Sequence, residues 1–442
     1  MDMSPFIARR RTDPLRRELA EWLPDRPFSL SLWDGTELPA TRHGPRITVR
    51  SPRAIAHVLR SPTQLGLARA YVVGDLDIDD LDLLLPMIDG YKPASPDRRR
   101  RATLALAALL AMGVPRVPRR PAAELRPHGR PHSRGRDAEA VRHHYDVSNP
   151  FFELFLDSSM TYSSAVWSAG TKTLEQAQEH KHELICQKLE LSPGQRVLDV
   201  GCGWGAFAIH AAARHDVSVL GVTISERQAD LATRRVAQAG LADRVDIRLS
   251  DYRDLGGERF DAIASIGMIE HVGGSQVDAY AAAVAGLLAP GARFLCQGIA
   301  KLGAEEHRPS EFSEGYVFPD GQLLHVSRML RAFELAGLEN LHAEGFRHDY
   351  AQTLAHWAKR LDERLDDAVR IAGAQRTRVW RLYLRTARNA FTSGFASLFQ
   401  ILSVAPGAMS APAAAGGQHP RDSAVPAAAG NGAGERQPVS VQ

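Results

Sequence analysis

Cysteine is scarce in this chain of 442 residues, which contains only Cys186, Cys202 and Cys296. The odd count excludes a fully paired disulfide framework, and the spacing matches no zinc-site pattern, so we expect reduced thiols and no metal. Long apolar runs are also lacking, because the longest, at residues 102–114, is shorter than the roughly 20 residues that span a bilayer. The arginine-rich N-terminus lacks the apolar core of a secretory signal. We therefore expect a cytoplasmic protein.

Lysine is also scarce, so arginine carries most of the positive charge. The net charge of +3 hides a basic segment from Arg98 to Arg136, where arginines flank the apolar run and then occur among prolines. No aromatic side chains are interleaved with these arginines, which argues against nucleic-acid binding. We expect a flexible linker with a short interfacial helix that associates peripherally with an anionic surface at the inner face of the membrane. The alternative is a merely solvated linker.

A glycine-rich turn after the apolar run Val197 to Val200 is the most informative motif of the chain. The run predicts a strand buried on both faces, and Gly201, Gly203 and Gly205 let the backbone approach a ligand closely. Together with Asp199 they give the spacing Asp-x-Gly-x-Gly-x-Gly, which is typical of S-adenosylmethionine-dependent methyltransferases and differs from the pyrophosphate-binding fingerprint. The alternative is a tight strand-to-helix turn that holds no ligand.

Strands and helices alternate around this turn, and Ser225 with Gln228 predicts a capping box for one of the helices. The alternation predicts an α/β fold with a doubly wound, mostly parallel, Rossmann-like sheet of the class I methyltransferase type. Ligands of such sheets bind beyond the carboxyl ends of the strands. Five strands are predicted, at 196–200, 218–223, 244–249, 260–266 and 292–297. We expect one crevice to be formed by the strand ends at 199–205, 223–228, 251–252, 270–271 and 297–299.

Further motifs occur in the order and spacing of one lipid-modifying family. They are His143 to Asp157, Met160 to Trp167, Asp251 to Asp254, Gly267 to Gly273 and Tyr316 to Gly321. Through these motifs the chain resembles the cyclopropane-fatty-acid and mycolic-acid cyclopropane synthases. The resemblance covers about residues 142–403 and, more loosely, 30–85. The latter stretch resembles the family's N-terminal domain, which is sterol-carrier-like.

The glycine motif and the resemblance together imply a set of residues around the cofactor S-adenosylmethionine. These residues are Tyr162, Ser163, Asp199, Gly201, Gly203, Trp204, Gly205, Thr223, Gln228, Asp251 and Tyr252. Simpler interpretations exist for several of them. Gln228 would only cap its helix, and Asp251 with Tyr252 would only end a strand.

The resemblance also places Glu270, Ile299 and Tyr350 at the catalytic centre, where the family holds a bicarbonate ion that serves as the base. Ser164 stands where the family usually has cysteine, a mild change because serine presents the same backbone N–H. Gln297 stands where the family usually has histidine, which removes a titratable group beside the base. This second departure leaves both bicarbonate binding and ring closure open. An ordinary surface carboxylate is the simpler interpretation of Glu270.

The implied substrate is an unactivated carbon–carbon double bond in an acyl chain. Methyl addition leaves a carbocation, which a desolvated aromatic face stabilises by up to about 2 kcal/mol. Water must be excluded, and a base must take a proton from the added methyl group to close a three-membered ring. Eight aromatic residues are candidates for this lining, with a place in the core as the alternative for each: Tyr145, Phe151, Phe152, Trp167, Tyr280, Phe312, Tyr316 and Phe318.

We therefore predict an S-adenosylmethionine-dependent C-methyltransferase that acts on cis double bonds of unsaturated phospholipid acyl chains and forms cyclopropane fatty acids. The alternative product is a methylene-branched chain, which a downstream reductase would convert to a mid-chain methyl branch. Methylation of a soluble small molecule or of RNA is disfavoured by the aromatic-rich segment at 145–167. An inactive lipid carrier is disfavoured by the intact Glu270 and Tyr350.

The predicted organisation has four parts. A homodimer is a further expectation, because the first part could serve in dimerisation. They are a small N-terminal α+β domain (1–95), the basic linker (96–137), the methyltransferase domain (138–403) and a disordered tail (404–442). In the first part we predict strands at 29–33 and 46–50 and a helix at 52–59. In the third we predict a helical lid at 354–399, which would cover the acyl channel.

Overall fold

The strands of the chain form one small and one large sheet. The computed structural model describes residues 5–113, 118–125, 135–136, 148–303 and 310–407. The small sheet comprises β1 (Ser29–Ser31), β2 (Glu37–Leu38), β3 (Arg46–Val49) and β4 (Leu76–Ile78) in the order β2-β1-β3-β4. Five helices belong to this part: α1 (Pro5–Trp22), α2 (Arg53–Arg60), α3 (Gln64–Val72), α4 (Leu81–Gly90) and α5 (Arg98–Met112). The two predicted strands and the predicted helix are confirmed within one or two residues at each end.

The large sheet has a parallel centre and an antiparallel edge. Its strands are β5 (Arg196–Val200), β6 (Ser218–Thr223), β7 (Val245–Leu249), β8 (Phe260–Ile266), β9 (Leu288–Lys301), β10 (Leu324–His325), β11 (Glu339–Gly345) and β12 (Ala396–Val404). The order is β11-β12-β9-β8-β5-β6-β7, and β10 pairs with β9. The five predicted strands are confirmed as the parallel run from β9 to β7. The fold is therefore the predicted doubly wound, Rossmann-like one.

The remaining helices belong to the larger part of the chain, and most of them flank the large sheet. They are α6 (Asn149–Phe152), α7 (Leu174–Leu189), α8 (Ala206–His215), α9 (Glu226–Gln238), α10 (Ile269–Val272), α11 (Val277–Leu287), α12 (Glu311–Tyr316), α13 (Val326–Leu335), α14 (Arg347–Glu363) and α15 (Leu365–Ser393). In β5, Val197, Leu198 and Val200 are at most 1% exposed. Burial of such a side chain contributes about 1.5–3 kcal/mol, which explains why this apolar run forms the central strand.

The predicted helical lid is wrong in its last part. The chain is helical through α14 and α15 apart from a kink at Gly373, but Gly394 ends α15 with a φ of +82° and the next residues form β12. β12 pairs antiparallel with β9 from Ala396 opposite Lys301 to Val404 opposite Arg293. This long pairing extends β9 as far as Lys301. Gln297 and Ile299 therefore lie within a strand, and not at the strand end where the sequence pattern places them.

Only one of the two hydrogen bonds of the predicted capping box of α9 is present. The side chain of Ser225 accepts a hydrogen bond from the backbone N–H of Gln228, as predicted. The Gln228 side chain does not return to Ser225; its Oε1 accepts from the hydroxyl of Thr223 at 2.8 Å. The backbone N–H of Ser225 donates to the same hydroxyl oxygen at 3.2 Å. Thr223 thus connects the end of β6 to the start of α9.

The N-terminal part packs closely on the helices of the larger part. The guanidinium of Arg378, in α15, lies 4.0 Å from the ring centroid of Tyr71 and donates to the carbonyl oxygens of Tyr71 and Leu76. Residues up to Pro406 form one compact unit. The predicted domain boundaries at 95 and 137 stay a prediction, and the predicted disorder of the tail concerns residues that are nearly all outside the described ones. In the described part, no helix has both the length and the apolar character needed to cross a bilayer.

Candidate active site

The glycine turn lies between β5 and α8. Gly201 and Gly203 have φ angles of +78° and +56°, in the left-handed region that is strained for residues with a Cβ. A Cβ at Gly201 would lie 3.7 Å from the Cβ of Met268, whereas a Cβ at Gly203 would meet nothing within 4 Å. The backbone N–H groups of Gly201 and Cys202 both donate to the carbonyl oxygen of Val222 at 3.0 Å, so the turn is held against β6. Gly203 therefore leaves open space above a fixed backbone.

A cavity opens beside this turn, where the parallel strands end, and measures about 1410 Å³ when its open mouth is counted. All but one of the predicted cofactor residues line it: Tyr162, Ser163, Asp199, Gly201, Gly203, Trp204, Thr223, Gln228, Asp251 and Tyr252. The exception is Gly205, which begins α8 with a φ of +81° and packs so closely that a Cβ would lie 3.3 Å from that of Ala232. Gly205 thus serves helix packing. For the others, contact with the cofactor stays a prediction.

Hydrogen bonds fix several of the polar side chains around the cavity. The indole N–H of Trp204 donates to Oδ1 of Asn149 at 2.9 Å. The carboxylate of Asp251 accepts from the guanidinium of Arg253, with Nε to Oδ1 at 2.8 Å and Nη2 to Oδ2 at 2.5 Å. Asp320, which also lines the cavity, accepts from Nη2 of Arg136 at 2.6 Å. These bonds hold the wall in place before any ligand arrives.

Lys181 and Asp199 are two buried side chains of opposite charge in the cavity wall, and Asp157 also acts on Lys181. Both Lys181 and Asp199 are at most 2% exposed, and the Lys181 Nζ donates to the hydroxyl of Ser163 at 3.0 Å. Burial raises the pKa of Asp199 and lowers the pKa of Lys181, and the charge of each opposes the shift of the other. Oδ2 of Asp199 is buried without a partner among the described residues. The wall therefore presents a carboxylate oxygen that is ready to accept a hydrogen bond from a ligand.

Lys181 is a cavity residue that the sequence analysis missed. A signal was present, because Ala177, Lys181 and Ile185 are all fully buried at a spacing of four along α7. Lysine is rarely buried, so a lysine within the apolar stripe of an amphipathic helix indicates a buried charge with a specific role. The sequence alone did not single out Lys181, because it belongs to no recognisable motif and its immediate neighbours in the chain are polar.

Glu270 lies on α10, directly after β8, with its carboxylate shielded from water. Oε1 accepts a hydrogen bond from the backbone N–H of Ile299 at 2.6 Å, which joins two of the predicted catalytic residues. Oε2 is buried and has no partner among the described residues. Desolvation raises the pKa of this carboxyl to about 7, while the bond from Ile299 opposes the shift. Glu270 therefore exchanges a proton near neutral pH, and its neighbours Met268 and His271 line the cavity.

Gln297 is engaged by the antiparallel edge of the sheet. Its Oε1 accepts from Nε2 of Gln400, the residue opposite it on β12, at 3.0 Å. Gln400 in turn accepts from the ammonium of Lys188 at 2.6 Å, and Lys188 also donates to Glu344 at 2.5 Å. The glutamine at this position is thus one end of a polar chain that runs from β9 across β12 to Lys188 of α7 and on to Glu344 of β11.

The other two predicted catalytic residues have different surroundings. Tyr350 packs on Phe391, with ring centroids 4.5 Å apart, and borders the same apolar core as Ile299. The hydroxyl of Ser164 donates to the carbonyl oxygen of Ala165 at 2.8 Å, and the residue is 1% exposed. Tyr350 is therefore near the apolar wall shared with Ile299, and the Ser164 hydroxyl is used within its own segment.

An aromatic cluster borders the cavity; it consists of Phe151, Phe152, Phe155, Tyr162, Trp204, Trp357 and Trp380. Phe152 and Trp204 have centroids 5.1 Å apart, and Tyr162 stacks on Trp357 at 5.3 Å. Because Tyr162 and Trp204 also line the cavity, the cluster reaches from the cavity into the core. Trp357 and Trp380 come from the helices of the predicted lid.

The predicted aromatic lining is divided among several places. Phe151 and Phe152 belong to the aromatic cluster, Trp167 stacks on His356 of α14, and Phe318 lies beside His271. Three others are core residues, which was the alternative: the Tyr280 hydroxyl donates to Ser265 inside the sheet core, while Phe312 and Tyr316 pack into the N-terminal core. Tyr145 lies outside the described residues.

Comparison with known proteins decides the family of this fold and site. The sequence model of the family "Mycolic acid cyclopropane synthetase" matches residues 132–401. The chain belongs to this family. It is 38% identical over 391 residues to a probable fatty acid methyltransferase of Mycobacterium tuberculosis, covering 85% of this chain and 91% of that protein. It is 33% identical over 359 residues to the cyclopropane-fatty-acyl-phospholipid synthase of Escherichia coli, covering 80% and 87%.

A solved structure supports the same assignment. The mycolic acid cyclopropane synthase CmaA1, complexed with SAH and CTAB, superposes with a TM-score of 0.58 and 30% identity over 60% of this chain and 98% of that one. The protein is an S-adenosylmethionine-dependent methyltransferase. Its cavity fits this cofactor on two observations: the open backbone at Gly203 and the unpartnered carboxylate oxygen of Asp199.

Proposed function

We propose that this enzyme transfers a one-carbon unit from S-adenosylmethionine to the cis double bond of an unsaturated phospholipid acyl chain and closes a cyclopropane ring. The observation that carries the proposal is Glu270. Its carboxylate has one buried oxygen without a partner among the described residues and a pKa raised to about 7. Methyl transfer to a nitrogen or oxygen also releases a proton, but a heteroatom can pass that proton to solvent, whereas ring closure requires a base to remove a proton from carbon where water is excluded.

The chemistry divides into two steps with balanced electrons. When bound, S-adenosylmethionine would supply an electrophilic methyl group. The π electrons of the double bond form a carbon–carbon bond to it while the carbon–sulfur bond breaks, and the bonding electrons leave with S-adenosylhomocysteine. The aromatic cluster next to the cavity offers faces that stabilise the positive charge left on the acyl chain, and its close packing excludes water. A proton then leaves the added carbon, and its bonding electrons close the ring.

In this proposal Glu270 takes part in removing that proton. With Oε1 held by the N–H of Ile299, Oε2 is left to accept a proton or to share one with a neighbouring base. In the same proposal a bicarbonate ion would bind at this oxygen and share a proton with Glu270, and Tyr350, which packs against the same apolar core as Ile299, would donate a hydrogen bond to it. Glu270 and Tyr350 would hold the ion through hydrogen bonds. Bicarbonate remains part of the proposal.

The alternative product is a methylene-branched acyl chain, with the proton lost from another carbon. Gln297 favours keeping this alternative, because its amide does not titrate and its oxygen is engaged by Gln400. One relative is named for a cyclopropane product and another only as a fatty acid methyltransferase, at similar identities of 33% and 38%. Neither name selects the product. A branched product would require a downstream reductase to become a methyl branch.

The substrate lies in a membrane, and α5 offers a contact with it. Leu106, Leu109 and Leu110 project from this helix and are 59%, 43% and 55% exposed. The run Arg98 to Arg101 begins the same helix. Apolar side chains beside arginines match an anionic lipid surface, where each basic residue contributes about 1 kcal/mol. We include peripheral binding to such a surface in the proposal.

The test is incubation of the protein with S-adenosylmethionine and vesicles of mono-unsaturated anionic phospholipid, followed by mass spectrometry and proton NMR of the fatty acids. A gain of one CH₂ with cyclopropyl protons is the expected result. The same mass gain with vinylidene protons would replace the ring by the branched product. No mass gain, with cofactor and lipid both bound, would contradict the proposal.

A further inference from the structure

Three side chains with metal-binding atoms meet between α7 and α8, outside the cavity already described, and a fourth contacts two of them. The ligand atoms of Cys186, His210 and His215 all lie within 4.8 Å of one another. Oε2 of Glu183 lies 3.2 Å from Nε2 of His210 and 3.2 Å from Nε2 of His215. One thiol, two imidazoles and one carboxylate therefore converge from two neighbouring helices.

We propose that Glu183, Cys186, His210 and His215 form a binding site for a divalent zinc-class metal ion. Glu183 and Cys186 lie three residues apart, so they present their side chains on one face of α7. His210 lies within α8 and His215 is its last residue. The ion would join the two helices through two ligands from each.

The donor set determines the class of metal. Thiolate and imidazole ligands together select zinc and related transition metals, whereas Mg²⁺ and Ca²⁺ prefer sites made of oxygen atoms. Bond lengths of about 2.0–2.3 Å imply that ligand atoms around one zinc ion lie about 3.5 Å apart. The thiol and the two imidazoles, whose atoms lie up to 4.8 Å apart, therefore need only a small side-chain adjustment, and the Glu183 carboxylate, already 3.2 Å from both imidazoles, would move with them to complete the set.

Burial suits a structural ion that can still be loaded from solvent. Cys186 is fully buried, while the side chains of His210 and His215 are 12% and 18% exposed. Glu183, at 34%, is the most exposed of the four and faces the entry side. An ion reaching this point would meet the carboxylate first and the buried thiol last.

A metal ion at this site would affect the wall of the cofactor cavity. His182 neighbours Glu183 on α7, and its ring centroid lies 5.6 Å from that of His210. The Nε2 of His182 lies 3.0 Å from the hydroxyl of Thr161, and both residues line the cavity. A metal that ties α7 to α8 would therefore stiffen the cavity wall. We expect an effect on stability, since none of the four ligands lines the cavity.

The test uses the full chain after removal of metal, titrated with Co²⁺ and then with Zn²⁺. One equivalent of Co²⁺ should give the visible bands of tetrahedral cobalt together with a thiolate-to-cobalt charge-transfer band, and Zn²⁺ should abolish both. Zn²⁺ should also raise the unfolding temperature. His215→Gln should weaken Co²⁺ affinity by at least about 100-fold, and Cys186→Ala should remove the charge-transfer band.

Matched controls separate the site from adventitious binding. His342→Gln alters another histidine next to a glutamate, with His342 Nε2 3.4 Å from Oε2 of Glu344, and should leave Co²⁺ affinity unchanged. Cys296→Ala removes another buried cysteine and should leave the charge-transfer band. Unchanged affinity for S-adenosylmethionine will show that each variant has folded. Absence of saturable binding at one equivalent, or binding that survives both ligand substitutions, would overturn the proposal and leave a hydrogen-bonded histidine–glutamate cluster.

Discussion

The cofactor cavity and the Glu270 carboxylate lie at the same end of one parallel sheet but have different surroundings. The cavity is lined by groups from many loops, with open backbone at Gly203 and polar side chains that already have protein partners. Glu270 stands in an apolar, desolvated place where its carboxylate is held by one backbone N–H. The contrast indicates that binding rests on many weakly contributing groups, whereas the chemistry rests on the environment of one carboxylate. Substitutions should therefore separate affinity from turnover.

The largest effect should come from Glu270→Gln. Glutamine can still accept the hydrogen bond from Ile299, but it cannot take up a proton, so we expect turnover to fall by about 10²–10⁴-fold. Affinity for S-adenosylmethionine should stay nearly unchanged, as isothermal titration will show. Wild-type turnover in this variant would remove Glu270 from the proposed chemistry. Glu339→Gln, at an exposed position of β11, is the matched control.

The same substitution has a second readout in its pH dependence. Because desolvation raises the pKa of Glu270 to about 7, turnover at saturating cofactor should rise with pH through about 7, as the carboxyl loses its proton. In the unfolded chain the same carboxyl ionises near 4.5. The folded state therefore loses up to about 3 kcal/mol as the pH rises from 4.5 through 7. Glu270→Gln should thus unfold at a higher temperature than the wild type at pH 8, and a lower one would contradict the assigned environment.

An intermediate effect is expected from Lys181→Met, on the cavity side of the comparison. Without the ammonium, the pKa of Asp199 should rise further, because Lys181 is the charge that opposes its desolvation. If the pKa of Asp199 rises by about one unit, the ionised carboxylate becomes about tenfold less populated at a pH below its pKa. We therefore expect cofactor binding near pH 7 to weaken by up to about tenfold. The weakening should shrink as the pH rises and Asp199 ionises. Titration of S-adenosylmethionine across this pH range measures it.

Lys188→Met is the control for this prediction. It lies two helical turns further along α7 and donates to Gln400 and Glu344, away from the cavity lining. We expect its cofactor affinity to match the wild type. Equal weakening in both variants would show that the helix, and not the charge beside Asp199, determines binding.

The smallest effect should follow from Asp320→Asn in the lining of the cavity. The ion pair with Arg136 is largely shielded, with side chains 15% and 14% exposed, but Asp320 is one of many groups that line the cavity, so we expect its loss to change cofactor binding by about 1 kcal/mol or less. We expect cofactor affinity to fall by about two- to fivefold at low salt and by less at high salt. Asp367→Asn, in an exposed pair with Arg370, should change nothing. A salt-independent loss would argue against an electrostatic role for Asp320.

The sequence alone was sufficient for features that depend on neighbours in the chain. Val197 to Val200 followed by alternate glycines predicts a buried strand and a ligand-binding turn, because apolar periodicity and the need for positive φ are both local. Since parallel strands all end at one edge, the same pattern also predicted that Asp199, Thr223 and Asp251 would border one cavity. The local pattern failed at β12, where apolar residues after a long helix look like more helix until they pair with β9.

Only the tertiary structure decided features that depend on residues far apart in sequence. The raised pKa of Glu270 results from desolvation by the surrounding elements, and the partner of Gln297 lies 103 residues away at Gln400. The cysteine spacing excluded familiar metal motifs, yet packing of α7 on α8 brings Cys186 within 4.8 Å of two histidines. Chain neighbours determine backbone conformation and periodicity, whereas burial, electrostatics and ligand geometry arise only when distant segments pack and exclude water.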